Sequence, residues 1–218
     1  AASVWLSEHH FFADGYLPQP LTFAAAVAAR TRSIRIGTAV LLAALREPAH
    51  LAEEAAMVDI LSGGRLDLGV GLGYRVPEYT GFGRPFERRF ARTEAVLREV
   101  LRLWETGGVT PLPVQSPMAI WGGFFGPRGA RLTGELGAGL LSFDPGLMEP
   151  YRAGLAAGGH DPGAARCAAV VNLVVADDPE AAWPRIRPHL SYQWDTYNTY
   201  AVEGTDAPPP RPIDPDKW

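Results

Sequence analysis

A chain of 218 residues, 47% of them apolar and 20% charged, has the length and composition to bury the core of one large globular domain, taken as residues 1–218. The net charge of −4, without a dense Lys/Arg cluster, gives no electrostatic footprint for nucleic acid or an anionic membrane. Cys167 is the single cysteine, so no intrachain disulfide forms; with no secretory-type leader and no apolar run of about 18 residues, a cytoplasmic chain without a membrane partner is expected.

Taken in order, short apolar runs alternate with helical patterns, the signature of βα units on a parallel sheet. The predicted strands are Ser3 to Ser7, Ile34 to Val40, Arg65 to Leu72, Met118 to Gly122, Ala138 to Phe143 and Cys167 to Ala176. A helix is predicted from about His50 to Leu61, after Pro48 and stopped by Gly63 and Gly64. The clearest helix runs from about Pro85 to Glu105, with Phe90, Val96, Leu97, Val100 and Trp104 on one face. Arg88, Arg92, Arg98 and Arg102 take the other face, expected to be merely solvated.

The stretch GGRLDLGVGLGY decides between two closures of such a sheet. A dinucleotide fingerprint needs Gly-x-Gly-x-x-Gly opening a helix, whereas Gly69, Gly71 and Gly73 alternate as on a strand and Tyr74 follows. Alternating glycines bare one side of the strand, for a packed barrel interior or for a planar ligand. The expected fold is therefore α/β, a (β/α)8 TIM-type barrel. Eight strands do not fit comfortably: the first begins at once, the tail GTDAPPPRPIDPDKW is too proline-rich, and LWETGGVTPLPVQSP leaves almost no loop. The first and last strands are expected to be missing, the chain being a fragment or lacking segments.

Glu8, His9 and His10 follow the first strand. Two histidines at the C-terminal end of a barrel strand lie where barrel active sites are built, and imidazole moves protons near neutral pH. Equally, either ring could pack against Phe11 or Phe12 and bond a backbone carbonyl. A metal site is disfavoured, because adjacent strand residues point apart and no His-x-His or clustered Cys accompanies them. In the fourth strand end, WGGFFGPRGAR, the amides of Gly122, Gly123 and Gly126 with Arg128 could form an anion nest or a plain strand-to-helix turn.

With SEHHFF, IGTAV, EEAAMVDILSGGRLDLGVGLGY, FGRPFERRFARTEAVLREVLRLW and PVQSPMAIWGG in this order, the chain resembles the bacterial-luciferase-like family of flavin-dependent oxidoreductases, over nearly its whole length to about Phe143. The resemblance implies a barrel using reduced FMN with oxygen or, in some branches, a deazaflavin coenzyme for hydride transfer. It aligns His9 with the histidine acting on the flavin–oxygen adduct and gives His10 a supporting role. It places a non-proline cis peptide between Ala39 and Val40 under the flavin, where the residues alone allow a plain strand end. Gly71, Gly73 and Tyr74 would run beside the ring or ribityl chain, and Gly122, Gly123 and Gly126 near the phosphate. Two departures stand out: Leu72 where some members carry a phosphate-binding arginine, and Phe124 and Phe125 where small hydroxyl residues are common.

The leading expectation is thus a monooxygenase on a small organic substrate, served by a separate flavin reductase. Phe11, Phe12, Tyr74 and Phe143 are candidates for an apolar wall. A homodimer is expected, resting on the resemblance and on Met57 and Ile60. Alternatives are a deazaflavin-dependent reductase, a non-catalytic flavin-binding protein with a shortened barrel, and a metal-dependent barrel hydrolase.

Overall fold

The computed structural model describes residues 2–217. Its elements in chain order are β1 (Ser3–Leu6), α1 (Pro20–Arg30), β2 (Arg35–Thr38), β3 (Leu41–Leu42), α2 (Pro48–Ser62), β4 (Leu66–Gly71), α3 (Val76–Gly81), α4 (Arg89–Thr106), β5 (Ile120–Gly123), α5 (Pro127–Glu135), β6 (Gly139–Leu140), α6 (Met148–Ala157) and α7 (Pro179–Val202). The strands pair in the order β1-β2-β4-β5-β6, with β3 also against β4. Every pairing is parallel.

The chain divides into two compact units. The first runs to Gly73 and resumes over Arg84–Ala169; the second comprises Tyr74–Gly83 and the chain from Val170 onward. The whole sheet lies in the first.

Register separates two faces of that sheet. Leu6, Ile36, Leu66, Leu68, Val70 and Ile120 point outward and bury themselves against helix residues such as Leu21, Leu51, Ala55, Val96 and Val100. Each fully buried aliphatic side chain of this kind contributes about 1.5 to 3 kcal/mol relative to exposure. The opposite face carries Trp5, Gly37 and Asp67 across β1, β2 and β4, then Gly69, Trp121 and Gly139 across β4, β5 and β6. Here glycines make room for indoles: a Cβ on Gly37 would overlap the Trp5 ring, and one on Gly139 the Trp121 ring. The two indoles meet edge to face at 5.8 Å. Asp67 accepts two bonds from Arg35, at 2.7 and 2.8 Å, and one from the Trp121 indole at 3.2 Å.

Side chains also close the ends of elements. Gly63, at φ 66°, caps α2 in the left-handed region that the glycine pair predicts. The Arg65 guanidinium donates to the carbonyls of Ala28 and Thr31, carbonyls left over at the end of α1. The proline-rich approach to β5 is pinned by Gln115, whose backbone and side-chain amides both donate to the buried Asp59 carboxylate at 2.9 and 2.7 Å.

Two expectations fail. Cys167 to Ala176 is not a strand: it contributes one parallel bridge, Leu140 to Cys167, and Val170, Leu173 and Val175 are exposed. An apolar run becomes a strand only where partners take its backbone groups. The arginine face of α4 is not merely solvated, because Arg92 donates to the carbonyls of Ala44 and Arg46 at 2.6 and 3.2 Å.

Candidate active site

The loop after β1 carries a carboxylate with no exposed side-chain surface. Glu8 Oε1 accepts from Arg46 Nη1 at 2.6 Å and from His10 Nε2 at 2.7 Å, while Oε2 accepts from the Leu42 backbone amide at 2.8 Å. Burial pushes this carboxyl upward, but the His10 bond, the Arg46 charge and bond, and the Leu42 amide outweigh it and hold it below the usual carboxylate range. An ionised carboxylate can only accept. The proton of the Glu8–His10 bond therefore sits on His10 Nε2.

His9 is held differently. Its backbone amide donates to the Leu17 carbonyl at 3.1 Å, and its ring lies 4.6 Å from Phe12 and 4.8 Å, edge-on, from Tyr16. Both histidines are buried, so at their positions the loop forms part of a packed wall. Phe11 adopts a positive φ of 61° and remains exposed.

Beside this loop the β2 ladder breaks. Thr38 Oγ1 accepts from the Gly69 amide at 2.9 Å and donates to the Gly69 carbonyl at 2.6 Å, replacing a strand partner with a side chain. The Ala39–Val40 peptide is cis, the geometry expected at that position, and β3 resumes pairing with Val70 and Gly71. The half-buried Val40 side chain then fills the space that the strand glycines leave: a Cβ on Gly71 or on Gly123 would overlap its methyl groups. Gly69 is bare for the Thr38 carbonyl. These glycines serve the packed interior, the first of the two uses open to them.

The proposed anion nest is only partly assembled. Gly122 and Gly123 lie within β5: Gly122 pairs on both sides, with Val70 of β4 and Leu140 of β6, and Gly123 pairs with Gly71 of β4. Gly122 faces α5, where a Cβ would overlap Thr133 Oγ1. Gly126, the N-cap of α5, has nothing within 4 Å of where a Cβ would stand. Arg128 lies 3.9 Å over the Phe90 ring, Phe124 is buried against Gly129, and Phe125 is 98% exposed. Gly73, at φ 69°, closes the first segment of the first unit. Tyr74 belongs to the second unit, where its ring lies 6.2 Å from Tyr197; beside it Arg75 pairs with Glu203 at 2.7 Å and stacks on Tyr200.

Sequence reasoning missed Arg46 and Arg92. Arg46 stands 38 residues from the carboxylate it meets, and no local pattern announces it. Arg92 anchors the very turn that presents Arg46. Among the described residues no three His, Cys, Asp or Glu side chains gather as a metal-ligand set, and no helix is long and apolar enough to cross a membrane.

A parallel α/β sheet with helices on its outer face is the architecture of the barrel class, and the buried carboxylate–imidazole pair lies at the C-terminal strand ends, where sites on such barrels are built. The chain belongs to the luciferase-like monooxygenase family, whose model matches residues 1–212. It is 32% identical over 170 residues to an F420-dependent glucose-6-phosphate dehydrogenase of Amycolatopsis mediterranei, covering 68% of this chain and 51% of that one. It is 40% identical over 77 residues to the oxygenase component of a flavin-dependent trigonelline monooxygenase of Acinetobacter baylyi, covering 35% and 21%. The crystal structure of the monooxygenase RslO1 from Streptomyces bottropensis superposes with a TM-score of 0.78 at 27% identity, over 93% of this chain and 68% of that one. The chain thus spans about half and about a fifth of the length of these two curated relatives.

Proposed function

We propose that this chain carries the reduced-flavin site of a monooxygenase acting on a small organic substrate, with FMN delivered reduced by a separate reductase. The observation that carries the reading is the packed His9–His10 wall and its buried Glu8 carboxylate beside the Val40 bulge, all at the C-terminal strand ends. The likeness to RslO1 and to an oxygenase component supports it.

The residues fit such a cofactor at two points. Val40 offers an apolar surface at the strand ends, and open space at Gly126 beside Arg128, which makes no ion pair among the described residues, suits a phosphate. Leu72 brings no charge and Gly122 is paired on both sides within the sheet, so Arg128 carries most of the phosphate recognition. Reduced FMN supplies the electrons for oxygen chemistry when bound. His9 handles the proton, His10 supports the wall, and Phe11 and Phe12 keep water from the reacting centre.

Hydride transfer with a deazaflavin is the second reading, favoured by the likeness to an F420-dependent dehydrogenase. Equilibrium titration with FMN, reduced FMN and F420 tests both. Tightest binding of reduced FMN, with oxygen consumed on substrate addition, is the expected result. Tighter F420 binding with no oxygen uptake selects hydride transfer, and flavin binding without turnover selects a non-catalytic flavin carrier.

A further inference from the structure

We propose that Glu8 is a positioning residue of this site: its one carboxylate fixes the tautomer of His10 and the seat of β3, with Arg46 as its counter-ion. The inference deepens the functional reading above and rests on it for its catalytic consequence, though not for its geometry.

Three donors converge on the two oxygens, His10 from the same loop and Leu42 and Arg46 from the stretch that begins at β3: Arg46 and His10 on Oε1, and the Leu42 amide on Oε2. β1 ends at Leu6, so no strand backbone reaches the Leu42 amide on that side. The Glu8 side chain takes the place of the missing ladder partner. Leu42 lies two residues beyond Val40, whose methyls fill the space over Gly71 and Gly123. The same carboxylate thus ties the imidazole wall to the bulge beside it. With Nε2–H committed to Glu8, Nδ1 is the ring nitrogen turned away from the carboxylate.

An amide cannot replace this group. A carboxylate presents acceptors at both ends, whereas glutamine presents one acceptor and one donor. In Glu8→Gln with the oxygen toward Leu42, the amide nitrogen faces Arg46 and His10, and His10 must move its proton to Nδ1. With the oxygen toward His10 and Arg46, the nitrogen faces the Leu42 amide and that amide loses its acceptor. One of the two signals must change.

The test is long-range proton–nitrogen correlation on the whole, nitrogen-labelled chain, together with hydrogen exchange at the Leu42 amide. In the parent, His10 is expected protonated at Nε2 and Leu42 protected. In Glu8→Gln, either the His10 proton moves to Nδ1 or Leu42 exchange accelerates at least tenfold, and the dissociation constant for reduced FMN rises roughly tenfold to a hundredfold. Arg46→Met, which keeps the carboxylate, is expected to leave the His10 tautomer unchanged. A parent His10 protonated at Nδ1 overturns the proposal even if Glu8→Gln does not fold. So does a Glu8→Gln chain whose His10 and Leu42 signals both match the parent. If neither protein binds flavin while those signals respond as expected, the functional reading falls and the positioning role stands.

Discussion

At the scale of single residues, two adjacent histidines are held by unlike means, and this predicts unlike consequences of losing them. His9 sits between aromatic rings, so His9→Ala removes packing but leaves the Glu8 network intact. If His9 handles the proton, turnover falls by about two to four powers of ten while flavin affinity is largely kept. His10→Ala strips one donor from the buried carboxylate and is expected to cost about 1 to 3 kcal/mol of stability, with weaker flavin binding. Steady-state turnover, flavin titration and urea melts of both variants separate the roles, and parent-like turnover in His9→Ala removes its assignment. Acid sensitivity follows from Glu8. Its carboxyl lies below the ordinary range when folded, so its contribution is present above that range and is lost as pH falls through the folded value. Glu8→Gln should therefore flatten the decline of the urea midpoint between pH 6 and about 3. A decline as steep as the parent's would show that other groups set it.

At the scale of elements, the bulge between β2 and β3 makes Gly69 and Gly71 of β4 and Gly123 of β5 necessary. A methyl on Gly123 overlaps Val40 but otherwise meets only ordinary contacts, the Val70 carbonyl at 3.6 Å and Leu141 at 3.8 Å. Gly123→Ala is expected to cost about 1 to 3 kcal/mol through overpacking. In the Val40→Ala background the same substitution should cost less by at least about 0.5 kcal/mol, because the obstructing methyl is gone. A double-mutant cycle of urea melts measures this, and strictly additive costs would mean that Val40 does not fill that space. Alternation of Gly69, Gly71 and Gly73 announces a strand bared on one side, and the periodicity of α4 announces its buried face, because both are local repeats. What fills the bared side is the Thr38 carbonyl over Gly69 and the Val40 side chain over Gly71, each about thirty residues away and placed there by a ladder break that no period encodes. The Glu8–Arg46 pairing is hidden for the same reason. The run from Cys167 misleads in the opposite sense, since its apolar residues satisfy a strand pattern but its backbone finds a single bridge.

For the whole molecule, the outer surface of the first unit bears on how copies of the chain associate. Within that unit a cavity of about 700 Å³ opens among the N-terminal strand ends, lined by Trp5, Arg35, Asp67, Trp121 and Arg166, at the end opposite the candidate site. Its tryptophans and the Arg35–Asp67 pair belong to the inner face, and the chemistry proposed here does not use it. On the helical side, Met57, Ile60 and Leu61 in α2 follow the spacing that places residues on one face, and all three are exposed, as is Phe23 on the neighbouring α1. Isolated exposed apolar residues are ordinary, but a helical stripe of three with an aromatic neighbour exceeds that background. A homodimer burying the α2 stripe is therefore expected. Light scattering at micromolar concentration should give twice the mass of one chain, and joint Met57→Glu and Leu61→Glu substitution should halve it without altering the far-ultraviolet circular dichroism. Two buried carboxylates facing their symmetry mates would be unpaired, and each would cost several kcal/mol, enough to dissociate a pair of micromolar affinity. A parent chain that scatters as a monomer, or a doubly substituted chain that remains a dimer, removes α2 as the interface.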